Sequence, residues 1–213
     1  MRQWELEMVS YGIYYALGLG TAGALITWLL SWPFAIPFYL LAAFCLNFFR
    51  DPERVIPAGP YAVSPADGKV VAIKPDDAGG LRISIFLNVF DVHVNRTPIG
   101  GQVVSVNYQK GQFRVASTED ASDANEQNVI TVDGVIAGQP TRVVFKQIAG
   151  LIARRILCYV QAGNTVETGQ RIGLMKFGSR MDVFLGPEWE VLVKAGQRVV
   201  GGSGILARLR GAA

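Results

Sequence analysis

From Met8 to Phe49 no side chain carries a charge, and few small folded domains can bury so long an apolar stretch. One membrane-crossing helix needs roughly 20 such residues, so this segment has room for two. Ser31-Trp32-Pro33 divides it, because proline lacks the N–H that would continue a helix. The sequence predicts one pass from about Tyr11 to Leu30, a second from about Phe34 to Phe49, and a tight turn between them. A cleaved signal peptide fits poorly, since its apolar region would be shorter and would follow a basic leader.

Arg2 precedes the first pass, Arg50 and Arg54 follow the second, and the turn has no Lys or Arg. Basic flanks stay on the cytoplasmic side, so both ends, and everything after them, belong in the cytoplasm at the cell membrane. The second pass stops just before Asp51-Pro52-Glu53-Arg54, which keeps the following domain close to the bilayer and within reach of a lipid. A net charge of +3 is too small for nucleic-acid binding and suits the face of an anionic membrane. Two cysteines, Cys45 and Cys158, and a single histidine, His93, can build neither a disulfide framework nor a metal site.

Beyond Pro57 the text changes to short β-branched runs punctuated by Gly, Asp and Pro: Lys69–Ile73, Leu81–Leu87, Gln102–Val106, Asn128–Val132 and Thr141–Lys146. These read as strands, and nothing after them reads as a long helix. The expected architecture is mainly β (α+β): a membrane-anchoring helical hairpin over 1–56 and a compact antiparallel β domain over 57–213. Ser117 to Asn128 is small, polar and acidic, which predicts an exposed mobile loop. Val166-Glu167-Thr168-Gly169-Gln170-Arg171-Ile172 returns as Val193-Lys194-Ala195-Gly196-Gln197-Arg198-Val199. This weak repeat resembles the paired hairpins of lipoyl and biotinyl carrier domains.

Gly178-Ser179 is the dipeptide with chemical interest. Glycine accepts backbone geometries closed to other residues and can hold the serine hydroxyl near the preceding carbonyl. Alone, the pair is a common turn. Its companions are Ser64-Pro65-Ala66-Asp67-Gly68 and the run Phe86-Leu87-Asn88-Val89-Phe90-Asp91-Val92-His93-Val94-Asn95-Arg96. Together the three segments resemble the phosphatidylserine decarboxylase family, in its short membrane-anchored branch, over most of the chain.

That resemblance implies a proenzyme cut between Gly178 and Ser179 into a β chain, 1–178, and an α chain, 179–213. Ser179 becomes a covalent pyruvoyl group, the only cofactor, which forms a Schiff base with phosphatidylserine and yields phosphatidylethanolamine and CO2. It also implies a set in which Ser179 attacks, His93 takes its proton and Asp67 orients the imidazole. Implied partners are phosphatidylserine, the anionic membrane and the two cleaved chains of the protein itself; the residues do not decide between a monomer and a homodimer.

Relatives often carry a second histidine three residues after the first, where this chain has Arg96, a candidate for holding the lipid phosphate or serine carboxylate. Asn125-Glu126-Gln127 resembles the family's Asn-Glu-Arg, which makes Glu126 a second substrate-binding candidate. The residues also allow other readings. Cutting at Gly202-Ser203 would release only a short stub. A biotinyl-like carrier would stay intact and be modified on Lys176. A membrane-tethered serine hydrolase would also stay intact, but no nucleophile-elbow pattern surrounds Ser179.

Overall fold

The structure, a computed structural model, describes residues 3–76, 79–116, 118, 121–151, 155–176 and 178–211. The chain divides into two units, 1–52 and 53–213. Unit one is a helix pair, α1 (Gln3–Leu29) and α2 (Trp32–Phe48), with Pro33 in the first turn of α2. The break falls where proline predicted it. Ser10–Leu29 is long and apolar enough to cross a membrane, whereas α2, with 17 residues, is shorter, about 26 Å at 1.5 Å per residue. A Cβ on Gly12 would lie 2.8 Å from Phe49 Cβ and 3.2 Å from the Cys45 carbonyl oxygen. The chain's approach there is close enough to demand glycine, as in packed membrane helices. Trp28, Leu30, Trp32, Phe34 and Leu40 are largely exposed, an apolar surface that water would not tolerate cheaply.

Unit two is built on an eight-stranded antiparallel sheet in the order β13-β2-β3-β11-β7-β6-β5-β9. Its strands are β2 (Gly68–Pro75), β3 (Leu81–Leu87), β5 (Gly101–Gln109), β6 (Gln127–Ile136), β7 (Gln139–Ile148), β9 (Thr165–Val166), β11 (Ser179–Leu185) and β13 (Arg198–Val199). Two three-stranded sheets complete the unit: β1 (Tyr61–Val63), β14 (Ile205–Leu209) and β12 (Trp189–Val191); β4 (Val94–Arg96), β10 (Arg171–Met175) and β8 (Ile156–Cys158). Alternation puts Met181, Val183 and Leu185 of β11 into one core with Ile83, Ile85, Leu87 and Phe145. Residues 53–56, grouped by sequence with the anchor, are tied to this unit. Glu53 pairs with Arg171 at 2.9 Å, and Arg54 pairs with Asp67 at 2.9 Å.

The sequence repeat is a repeated turn. Gln170 N–H donates to the Glu167 carbonyl (3.0 Å) while Gln170 Oε1 accepts from Glu167 N–H (2.9 Å). Lys194 and Gln197 make the same two bonds at 3.1 Å. Each turn exchanges backbone bonds with one residue of a distant segment, Thr97 for the first and Val70 for the second. A third copy, Gln161-Ala162-Gly163-Asn164, uses an asparagine in the glutamine's place and grips Val103. Glycine takes positive φ at Gly163, Gly169 and Gly196 alike.

The predicted exposed loop, 117–128, is different in the structure. Ser117, Glu119 and Asp120 lie outside the described residues. The remainder holds a short helix, α3 (Ala121–Ala124), and Ala121, Ser122, Asn125, Gln127 and Asn128 are buried. Small polar residues read as solvent-facing in the sequence, but here Ser122 and Asn125 make their hydrogen bonds inside. Ser122 Oγ donates to Asp182 at 2.5 Å, and Asn125 Nδ2 donates to the carbonyls of Arg114 (2.9 Å) and Ala149 (2.8 Å).

Candidate active site

β11 begins at Ser179, whose neighbours across the sheet are Leu87 on β3 and, one residue on, Ile148 of β7 opposite Arg180. Ser179 is fully buried, and its Oγ has no hydrogen-bond partner among the described residues. Such a group is costly to keep. Immediately before it Gly178 takes φ +63°, a left-handed conformation that favours glycine.

His93 is also fully buried. Its Nδ1 lies 2.9 Å from the Asp91 carbonyl oxygen. Because a carbonyl only accepts, Nδ1 carries the proton and Nε2 keeps its lone pair. Gly178 N–H donates to that Nε2 at 3.3 Å. The basic nitrogen of the chain's one histidine therefore rests on the residue preceding the buried serine. Asp91 is itself fixed, by Asn88 N–H at 2.9 Å and by the Arg198 guanidinium.

The carbonyl of the same Gly178 lies against Gly150. A Cβ built on Gly150 would stand 1.9 Å from Gly178 O, so only glycine fits there. Gly150 is set by its neighbour Ala149, whose N–H donates to the Glu126 carbonyl (2.9 Å) and whose carbonyl accepts from Asn125 Nδ2. The segment expected to be a loop thus braces the backbone beside Ser179. On the opposite face of β11, Arg180 and Asp182 form a buried ion pair at 2.6 Å, side chains 1% and 0% exposed. Arg180 also donates to Ser84 Oγ (2.6 Å) and the Thr118 carbonyl (3.0 Å).

Asp67, expected to orient the imidazole, makes its hydrogen bonds elsewhere among the described residues. One carboxylate oxygen accepts from Arg54 (2.9 Å) and the other from Gly201 N–H (2.7 Å), while the Asp91 carbonyl occupies Nδ1 of His93. Arg96 is buried, and its guanidinium donates to the Gly169 carbonyl at 3.0 Å, in the first repeated turn. Partial desolvation, and then the Glu126 carboxylate, hold the half-exposed Tyr108 hydroxyl above the usual phenol range. Burial, with Arg155 nearby, lowers the Lys176 ammonium. Gly202 N–H, at the other Gly-Ser, is committed to the Ser64 carbonyl at 2.8 Å.

Asp91 and Gly150 were missed by sequence reasoning. Asp91 was visible two residues before His93, the spacing of a local turn; Gly150 had no signal beyond being glycine. A cavity of about 290 Å³ reaches Gly178, with walls of Phe86, Asn88, Val89, Val115, Ala116 and Leu151. It is mostly apolar, and Val115 and Leu151 at its edge are exposed.

A buried serine, a left-handed glycine and a histidine resting on that glycine's own N–H make a site turned on its own backbone rather than on an open cleft. The comparisons agree with such a class: a model of the family described as phosphatidylserine decarboxylase matches residues 41–207. The chain belongs to the phosphatidylserine decarboxylase family. It is 64% identical over 204 residues to the phosphatidylserine decarboxylase proenzyme of Solibacter usitatus, covering 95% of this chain and 97% of that one. Proteins of the same name from Burkholderia vietnamiensis (46% identical; 83% and 84% covered) and Oleidesulfovibrio alaskensis (43%; 90% and 89%) are also similar.

Proposed function

We propose that the chain cuts its own backbone between Gly178 and Ser179, turns Ser179 into a pyruvoyl group, and then decarboxylates phosphatidylserine to phosphatidylethanolamine and CO2. The observation that carries this reading is the unpartnered Ser179 Oγ, buried one residue from the N–H on which His93 Nε2 rests. A short shift moves the lone pair from Gly178 N–H to Ser179 Oγ. His93 then takes the hydroxyl proton as Oγ adds to the Gly178 carbonyl carbon. The Gly178–Ser179 C–N bond breaks, the freed amine receives the proton, and an ester joins the two residues. Loss of the α-proton of residue 179 expels the Gly178 carboxylate. Water then releases ammonia and leaves the pyruvoyl carbonyl. Gly202-Ser203 has no comparable support, since its glycine N–H is held by Ser64.

The pyruvoyl group supplies an electron-withdrawing carbonyl that accepts the charge left as CO2 departs. The residues fit it: position 179 is buried, and among the described residues no charged side chain lines the cavity at Gly178. His93, with Nδ1 fixed on Asp91, holds and returns a proton at Nε2. The apolar cavity walls exclude water and suit lipid acyl chains. Asp67 acts by holding Arg54 and Gly201 rather than through the imidazole. Arg96 and Glu126, each already engaged, shape the site's surroundings. The helix pair anchors the β domain at the cytoplasmic face of the cell membrane, and the two cleaved pieces stay together as one folded unit.

Intact mass and a denaturing gel on purified protein test this. Expected are a piece ending at Gly178 and a piece from position 179 with a blocked pyruvoyl terminus, both absent for Ser179→Ala. A single uncut chain of unmodified mass that decarboxylates the lipid would overturn the reading, and added mass on Lys176 would favour a carrier.

A further inference from the structure

We propose that the Asn95 side-chain amide donates a hydrogen bond to the serine carboxylate of the phospholipid substrate and so sets its orientation at position 179. This rests on the function proposed above. His93 and Asn95 are two residues apart, and both side chains reach the same region of the large sheet: His93 Nε2 to Gly178 N–H, Asn95 Oδ1 to Gln147 Nε2 at 2.8 Å. Gln147 pairs with Met181 across β7 and β11. Ser179 lies two residues from Met181 on the same sheet face, about 7 Å along the strand.

The Asn95 amide has a fixed sense. Asn128 Nδ2 donates to Gln147 Oε1 at 3.1 Å, which commits Gln147 Nε2 as the donor to Asn95 Oδ1. Asn95 must then present its NH₂ on the other side. Asn95, Gln147 and Asn128 are 0%, 0% and 2% exposed, and Asn95 Nδ2 has no partner among the described residues. A buried donor held in one orientation with nothing to bond is a defect unless an acceptor arrives from outside. The substrate brings an anionic one. A neutral amide suits a carboxylate that must be lost, since it positions the group while neutralising less of its charge than an arginine would.

The test uses the full-length processed protein and two unreactive headgroup analogues in which hydroxyl replaces the amine: glycerophosphoglycerate, which keeps the carboxylate, and glycerophosphoglycol, which lacks it. Asn95→Leu removes the donor at similar volume. It should self-process as wild type does on a denaturing gel, bind glycerophosphoglycerate about tenfold more weakly by calorimetry, and bind glycerophosphoglycol unchanged. KM for phosphatidylserine should rise by a similar factor, with kcat changed less. If Asn95→Leu melts early, the isosteric Asn95→Asp is read the same way, with a larger loss for the carboxylate ligand alone. Equal binding of both ligands by wild type and variant overturns the proposal, as does a normally melting variant that fails to self-process. If wild type itself neither processes nor binds either analogue, it is the function reading that has failed.

Discussion

Gly150 and Gly178 offer a pair of substitutions with an unexpected order. Gly178 stands at the bond to be cut, yet a Cβ there would meet nothing within 4 Å. Its φ of +63° makes Gly178→Ala cost about 1 kcal/mol of backbone strain. Gly150 is remote in sequence, yet its Cβ would stand 1.9 Å from Gly178 O, where contacts below 3.0 Å essentially never occur. Two backbones must therefore part by more than 1 Å. Strain of about 1–3 kcal/mol follows, which a folded domain can survive. Attack of Ser179 on the Gly178 carbonyl cannot survive it equally well, because a misplacement of about 1 Å in a reacting pair can cost about 10²-fold in rate. The Gly178 N–H to His93 contact, already 3.3 Å, has no slack either. In a pulse-chase after cell-free synthesis, read on a denaturing gel, Gly150→Ala should self-process about 100-fold more slowly than wild type with its far-UV circular dichroism intact. Gly178→Ala should slow about tenfold or less. Processing of Gly150→Ala at the wild-type rate would refute the argument that Gly150 seats the carbonyl.

Asn125→Leu removes the two donated bonds to Arg114 and Ala149; it should lower stability by about 1–3 kcal/mol and slow processing, measured by urea titration and gel. Asp182→Asn leaves Arg180 buried beside a neutral partner, and in a Ser179→Ala background urea unfolding should show a loss of about 3–5 kcal/mol. Burial raises the Cys158 thiol, with smaller opposing effects from Val160 and Asn128. The folded chain thus holds that proton more tightly than the unfolded one. Its stabilising contribution is complete below the ordinary thiol value and fades as pH rises toward the raised one. Peptide mapping after iodoacetamide treatment near the ordinary thiol value of about 8.5 should find Cys158 labelled slowly when folded and quickly in urea.

The alternating runs made the long strands legible: Leu81–Leu87 is β3 residue for residue, and Pro33 marked the helix break. Short strands such as Thr165–Val166 and Arg198–Val199 carry too few residues for a periodic signal, although the Gly-Gln turns beside them repeat. The third turn escaped because asparagine replaced the glutamine. Segment 117–128 misled because burial of polar residues depends on partners far away in sequence, here Asp182 and Ala149. In the candidate site, Ser179 and His93 were visible as a resemblance. The Asp67 role was carried over as a motif and met a different geometry, since a motif does not say which nitrogen of an imidazole a backbone carbonyl will reach first.

β11 starts at Ser179 and lies between β3 and β7 in the middle of the large sheet. A cut on its leading edge turns an interior strand into a chain terminus without removing it from either ladder. On the proposed reading, the precursor folds as a single chain, but reversing denaturation of the mature form would require two separate molecules to find each other. The mature form could not regain its precursor by folding either, because the serine that once linked them has been consumed. Its lifetime is then set by how slowly β11 is released from its neighbours, and heat inactivation should follow unfolding kinetics rather than an equilibrium melting point.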